Sequence, residues 1–160
     1  MPPVMSDRPP ALSRSLTPVL RAWWRLSRGM TLGARGIAVD EAGRVLLIRH
    51  GYQRGWRLPG GGVEHGETAY DALTREMAEE GGVAIADATL LGFYSNHALF
   101  RNDHLAVSRV TAWMACAPRT GAEIAERRFF PRDALPDGVT PGTLRRLAEA
   151  FDGAPVSAVW

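Results

Sequence analysis

Arg75, Glu76, Glu79 and Glu80 place three carboxylates and one guanidinium within six consecutive residues. On a helix, separations of three and four residues bring Glu76, Glu79 and Glu80 to neighbouring positions on one face. That clustering is locally unfavourable. Like charges at these spacings cost about 0.2–0.5 kcal/mol per pair, and acidic side chains near a helix C-terminus oppose its dipole. Arg75 can reach Glu79 at i,i+4, but one arginine cannot neutralise three carboxylates. A solvated acidic face is the ordinary explanation for an arbitrary run of glutamates. The chemical alternative is a hard divalent cation, since Mg2+ takes oxygen ligands, typically one or two carboxylates completed by water and substrate phosphates. The spacing of the surrounding residues decides between the two.

The elements that must position these groups follow from capping and periodicity. Thr68 has the character of an N-cap, and Asp71 three residues later resembles a weak capping box. The spacing predicts a helix over residues 69–80, ended by Gly81 and Gly82 in a left-handed turn. Tyr70, Leu73 and Met77 form the apolar arc expected to face the core. Upstream, Leu58-Pro59-Gly60-Gly61-Gly62 is a breaker cluster that must be loop. Residues 31–39 and 44–48 are apolar runs around Asp40-Glu41-Ala42-Gly43, which reads as a β-hairpin. A strand region near residues 89–94, a loop over 95–103, a buried strand over 105–117 and a strand over 126–130 closed by Pro131 follow. Cys116 falls in that buried run and reads as core filler. Thr140-Pro141 repeats the helix-start signal before a final helix to about Phe151. Interleaved strands and helices predict an α/β fold in layers.

The spacing around the acidic cluster resembles the signature of the Nudix hydrolase family. That signature is Gly, five residues, Glu, seven residues, Arg-Glu, an aliphatic residue, one residue, Glu-Glu, one residue, Gly and an aliphatic residue. Gly61, Glu67, Arg75-Glu76, Met77, Glu79-Glu80, Gly82 and Val83 occupy those positions, with methionine as a mild variation. The resemblance implies an α/β/α sandwich with a mixed β-sheet. It also implies hydrolysis of the pyrophosphate linkage in a nucleoside diphosphate joined to another moiety, with Mg2+ or Mn2+ as cofactor. By position, Glu79 and Glu80 would be the main metal ligands and Glu76 a further one. Glu67 would act through water or as a weaker ligand, Gly60 would offer its carbonyl oxygen, and Arg75 would orient the carboxylates. The proton acceptor would be a glutamate of the signature or a later acid, Glu123 or Glu126.

The substrate is less legible. Arginine suits phosphate and aromatic rings suit base stacking. The candidates for substrate binding are therefore Arg49, Tyr52 and Arg57 before the signature, and Tyr94, His97 and Arg101 after it. His50, Arg54, Asn96 and His104 are further polar candidates nearby, whereas Trp56 reads as core. Residues 98–101, Ala-Leu-Phe-Arg, carry neither the proline nor the tyrosine tag of known subgroups. A nucleoside triphosphate house-cleaning activity and an RNA 5′-end pyrophosphohydrolase are both compatible. The reading from a different class is a catalytically silent Nudix-fold nucleotide sensor. Such modules usually lose carboxylates of the signature, and none is missing here.

Composition sets the remaining bounds. A chain of 160 residues with 46% hydrophobic and 22% charged residues suits one soluble domain. All nineteen basic residues are arginine. Residues 1–35 hold six arginines and one acid, so the formal charge of +2 hides a basic start and an acidic remainder. One basic run is weak evidence for nucleic acid. Residues 1–14, with four prolines, read as a disordered tail, and 15–29 as a short amphipathic N-terminal helix that could pair two copies into a homodimer. Residues 30–153 form the expected Nudix domain and 154–160 a C-terminal tail. With one cysteine there is no internal disulfide, no apolar run reaches membrane-spanning length, and the expected location is cytoplasmic.

Overall fold

The computed structural model describes residues 29–119 and 124–160, together with Trp23. The chain divides into two units, Met1–Met30 and Thr31–Trp160. In the first, Trp23 is helical and exposed; the tail over 1–14 and most of the helix over 15–29 lie outside the described residues. Everything below concerns the second unit.

Two sheets make its frame. Strand β1 (Thr31–Ile37) lies between β3 (Gly60–Gly62) and β5 (Asp103–Ala115), and β4 (Val83–Ser95) pairs the far side of β5, giving the order β3-β1-β5-β4. β1 runs parallel to β5, from Thr31 opposite Asp103 to Ile37 opposite Arg109, and the other pairs are antiparallel, so this sheet is mixed. A second sheet joins β2 (Val45–His50) to β6 (Ile124–Phe130), antiparallel, from Val45 opposite Phe130 to His50 opposite Ile124. Helix α1 (Ala69–Glu76) and helix α2 (Pro141–Phe151) complete the described elements.

The strands between the helices are apolar on both faces, and this divides the core in two. Val45 and Leu47 join Ile37, Trp56, Leu58, Tyr94, Val107, Phe130 and Leu147 in the core under α2. Leu46 joins Ala34, Ala38, Ala72, Leu73, Met77, Val83 and Val110 in the core under α1. Consecutive residues pointing into opposite cores is what a strand with period-two geometry does when both faces are covered. The layers are α, β and α, as the resemblance implied.

Four expectations change. The cluster over residues 58–62, expected to be loop, contains β3, because Gly60–Gly62 pairs antiparallel with residues 33–35 of β1. The turn after β1 forms, with the Asp40 carboxylate accepting from the backbone N–H of Ala42 (3.1 Å) and Arg44 (2.9 Å). The two strands nevertheless share only a short antiparallel bridge at Val39 and Val45, then part into different sheets. β2 takes its backbone partners from β6, while the two cores cover Val45 and Leu47 on one face and Leu46 on the other. The strand expected over 105–117 is buried only in its first half; beyond Arg109 it pairs with β4 alone, and Met114 is exposed. Cys116 lies past the strand end, partly buried, so it is not core filler. Finally, the helix expected over 69–80 is regular only to Glu76 and continues as a π turn, Met77–Gly81, closed by Gly82 at φ 67°. Its buried arc is Ala72, Leu73 and Met77, while Tyr70 is 47% exposed. Side chains lean toward a helix N-terminus, so a first-turn residue projects beyond the surface that the rest of the helix covers.

Candidate active site at the carboxylate helix

The start of α1 is set locally. The Thr68 hydroxyl accepts from the Asp71 N–H at 3.1 Å, and the Asp71 carboxylate accepts from the Thr68 N–H at 2.9 Å, completing the capping box. This fixes the register in which the next turns present Arg75 and the glutamates. In the π turn the Gly82 N–H reaches back to the Met77 carbonyl, so the chain advances by a wider turn than α-helical geometry would give. Glu80 is turned inward, with 7% of its surface exposed, while Glu79 stays half-buried.

Arg75 braces the cluster. Its Nε and Nη2 donate to the two oxygens of Glu67 (2.7 and 3.0 Å), and its Nη1 donates to Glu76 Oε1 (2.7 Å). Nη2 also donates to the Gly62 carbonyl (3.0 Å), and Nη1 lies 3.7 Å from Glu79 Oε2. The hydrogen bonds from Arg75 hold the Glu67 carboxyl at about 2, helped by the Glu64 N–H. Glu67 in turn raises the affinity of Arg75 for its proton. The glycines of β3 permit this close approach. A Cβ on Gly61 would sit 2.3 Å from Glu76 Oε1, and Gly60, at φ 142°, would drive a Cβ to 2.1 Å from the Ala34 carbonyl.

Glu80 has a different environment. One oxygen accepts from the Gly60 N–H at 2.9 Å, and the other lies 3.6 Å from His50 Nε2. Burial pushes its carboxyl up to about 7; the Gly60 N–H and the charges of Arg35 and Arg57 oppose this, and the charge of Glu76 adds to it. Arg35 projects from the middle of β1 and donates to the carbonyls of Leu58 (2.9 Å) and, more weakly, Gly60 (3.4 Å). Burial lowers the pKa of both Arg35 and Arg57, and the Nε of each is buried without a hydrogen-bond partner. Both guanidinium groups line a cavity of about 470 Å³. This arrangement can hold a negatively charged group next to a partly neutral carboxyl.

The other expected residues spread out. Arg49 and Glu126 bind one another across the second sheet at 2.7 Å, which occupies both. Tyr52 is exposed, its ring 5.2 Å from that of His50. His97 is exposed and contacts Ser95 Oγ at 3.0 Å, and Arg101 is exposed on the turn before β5. Asn96 is buried, donating to Asp103 Oδ2 at 2.7 Å. Tyr94 belongs to the core, with its hydroxyl donating to Glu149 Oε2 at 2.7 Å, and so does not face the cavity. Glu123 lies outside the described residues. Sequence reading passed over Arg35 and Trp160, which both line the cavity. A charged residue inside the apolar run of β1 was a usable signal for the first; nothing local marks the second.

Comparison with known proteins places the chain in a family. The NUDIX domain profile matches residues 30–151. A candidate 8-oxo-dGTP diphosphatase of Bacillus subtilis (strain 168) is 32% identical over 124 residues, 78% of this chain and 82% of that protein. An RNA pyrophosphohydrolase of Halorhodospira halophila is 45% identical over 56 residues, which is 35% of this chain and 31% of that one. Among solved structures, a MutT NUDIX hydrolase from Burkholderia pseudomallei superposes with a TM-score of 0.66 at 28% identity, covering 76% of this chain and 98% of that one. The chain belongs to the Nudix family, and is a hydrolase that cuts the pyrophosphate linkage of a nucleotide.

Proposed function

We propose that the chain is a divalent-metal-dependent pyrophosphohydrolase of small nucleotides, with Mg2+ or Mn2+ held by Glu76, Glu79 and Glu80. The observation that carries this reading is Glu80, a buried carboxyl beside a second carboxylate and supplied with one backbone N–H. An ionised group in such a place needs a compensating charge. Among the described residues, no three acidic, histidine or cysteine side chains converge as a ready cage. The donor set fits a cation that keeps water and phosphate oxygens in its shell, as Mg2+ does. When bound, the cation would offset charge on the pyrophosphate and make a bound water more acidic.

The chain's own residues have separable tasks in this reading. Arg75 positions Glu76 and Glu79, and Glu67, with both oxygens on Arg75, serves as part of that brace rather than as a direct ligand. The Gly60 N–H orients Glu80, and its carbonyl faces Arg35. Arg35 and Arg57 receive phosphate oxygens, because both line the same cavity and carry the positive charge that suits a charge-assisted contact. Glu126 is tied to Arg49, so a glutamate of the helix is the better proton acceptor.

A free nucleotide is favoured over an RNA 5′ end. The relative matched along most of the domain is named for a nucleoside triphosphate, whereas the likeness to the RNA pyrophosphohydrolase spans about a third of each chain. A cytoplasmic setting belongs to the same proposal, as the location expected from the sequence; no described helix is long and apolar enough to cross a membrane. The test is product analysis over nucleoside triphosphates, nucleotide sugars and 5′-triphosphorylated RNA with Mg2+ or Mn2+, comparing wild type with Glu80→Gln. Turnover of free nucleotides should fall more than about 100-fold in the variant, beyond the loss typical of a supporting residue. Near-normal turnover by Glu80→Gln, or a preference for RNA, would sink the corresponding part of the reading.

A further inference from the structure

The cavity shared by Arg35 and Arg57 has a lining of two chemical kinds. Arg35, Arg57 and Arg145 bring positive charge to it, while Leu99, Phe100 and Trp160 bring apolar surface. Leu99 and Phe100 belong to the loop between β4 and β5 and are largely exposed. Trp160 comes from residues beyond α2, more than seventy positions from the carboxylate helix, yet its place is tightly determined. Its N–H donates to the Ser95 carbonyl at 2.9 Å, and the Ser95 N–H donates to the Ala158 carbonyl at 2.8 Å. The Arg145 guanidinium donates to the Trp160 carbonyl. The edge of the indole presses on Gly142 near the start of α2, where a Cβ would lie 2.4 Å from Nε1.

The segment is anchored from behind as well. Arg146, fully buried, donates to the Val159 carbonyl at 3.1 Å and to Glu149 at 2.6 Å, and Glu149 accepts from the Ser157 N–H at 3.0 Å. The Arg146 guanidinium lies against the ring of Tyr94 (3.8 Å) and near that of Trp160 (5.4 Å). Arg35 stands 5.9 Å from the same indole. A large aromatic surface, held in place in a cavity that also presents guanidinium groups, matches a molecule with a flat base and a charged phosphate.

We propose that Trp160 is a specificity-determining residue: its indole is the wall against which the nucleotide's base packs while the phosphates lie toward Arg35 and Arg57. This rests on the nucleotide reading above and adds which residue reads the base. Arg146 and Glu149 are positioning residues, acting through Trp160 without touching substrate. A substrate retaining the sugar and phosphates but lacking a base gains nothing from this wall.

The test uses the full chain in two arms. In EDTA, the Trp160 indole N–H resonance, identified by its loss in Trp160→Phe, is followed while dGMP or ribose 5-phosphate is added. A shift with dGMP and little with ribose 5-phosphate is expected; no shift with dGMP, or equal shifts with both, overturns the inference. With Mg2+, Trp160→Ala should raise KM for dGTP about tenfold, in line with the loss of one stacking contact, with kcat within about twofold. Trp160→Phe should stay within about threefold of wild type and covers the case in which the alanine variant fails to fold. An unchanged KM in folded Trp160→Ala overturns the inference while leaving the hydrolase reading intact. A wild type that shows the dGMP-specific shift but hydrolyses nothing does the reverse.

Discussion

Two regions of this domain bury charge, and they do so with opposite bookkeeping. On α2, Arg146 and Glu149 meet at 2.6 Å, and other polar atoms of the pair reach Tyr94, Ser157 and Val159, although Arg146 Nε is buried without a hydrogen-bond partner. One positive group meets one negative group, almost entirely out of water. On α1 and its π turn, Arg75 serves Glu67, Glu76 and Glu79, and Glu80 is buried beyond its reach with a pKa pushed up to about 7. Both regions contain arginine–glutamate bridges. The balanced one organises the fold, whereas in the proposed reading the surplus of carboxylates on the other is met by a cation.

The comparison predicts opposite responses to removing one charge. Arg146→Met should be the most damaging change, lowering stability by about 3–5 kcal/mol, because it strands Glu149 in a dry interior. Chemical denaturation would show this as a lower midpoint. In Glu80→Gln, by contrast, the folded state loses a group that burial disfavours, so the unfolding midpoint should hold or rise while turnover disappears. If both variants lost comparable stability, the distinction between a closed pair and a site awaiting a cation would fail.

Within the brace the expected effect is smaller. A guanidinium can engage Glu67 with two nitrogens and Glu76 with a third, a geometry that an ammonium cannot reproduce. Arg75→Lys should therefore lower kcat/KM by about 10–100-fold, the range typical for residues that orient metal ligands. The concentration of Mg2+ needed for half-maximal activity should rise in parallel. A variant with lowered activity but an unchanged Mg2+ requirement would mean that Arg75 acts on something other than ligand placement.

These contrasts also explain what the sequence made legible. The capping box and the acidic cluster depend on residues three or four positions apart, and so does the brace between Arg75 and Glu79; such local relations survive in one dimension. The family spacing from Gly61 to Val83 added Glu67 and the glycines. What escaped was non-local. β2 left its neighbour in sequence to pair with β6, nearly eighty residues away, and its two faces are covered by cores assembled from distant elements. Tyr94 fell into the core through a partner on α2, Glu149, and Trp160 reached the cavity through Ser95. Neither destination leaves a trace in neighbouring residues.

The smallest expected effect tests how far the local part stands alone. Thr68→Ala removes the hydroxyl that accepts from the Asp71 N–H and should cost about 1 kcal/mol, near 3 °C in Tm for a domain of this size. Asp71, hydrogen-bonded to the Thr68 hydroxyl and N–H, has its pKa lowered from 3.8. A group with a depressed folded pKa contributes fully above its unfolded value and ceases to contribute as pH falls through the folded one. Stability of the wild type should therefore drop below about pH 4 by an increment that Asp71→Asn abolishes, measured by thermal unfolding between pH 3 and 7. Because the cap sets the register of α1, Thr68→Ala should also loosen the presentation of Arg75 two turns later. A loss of activity larger than the loss of stability would show that the N-terminal cap, though it touches no candidate ligand, helps to hold the carboxylates in place.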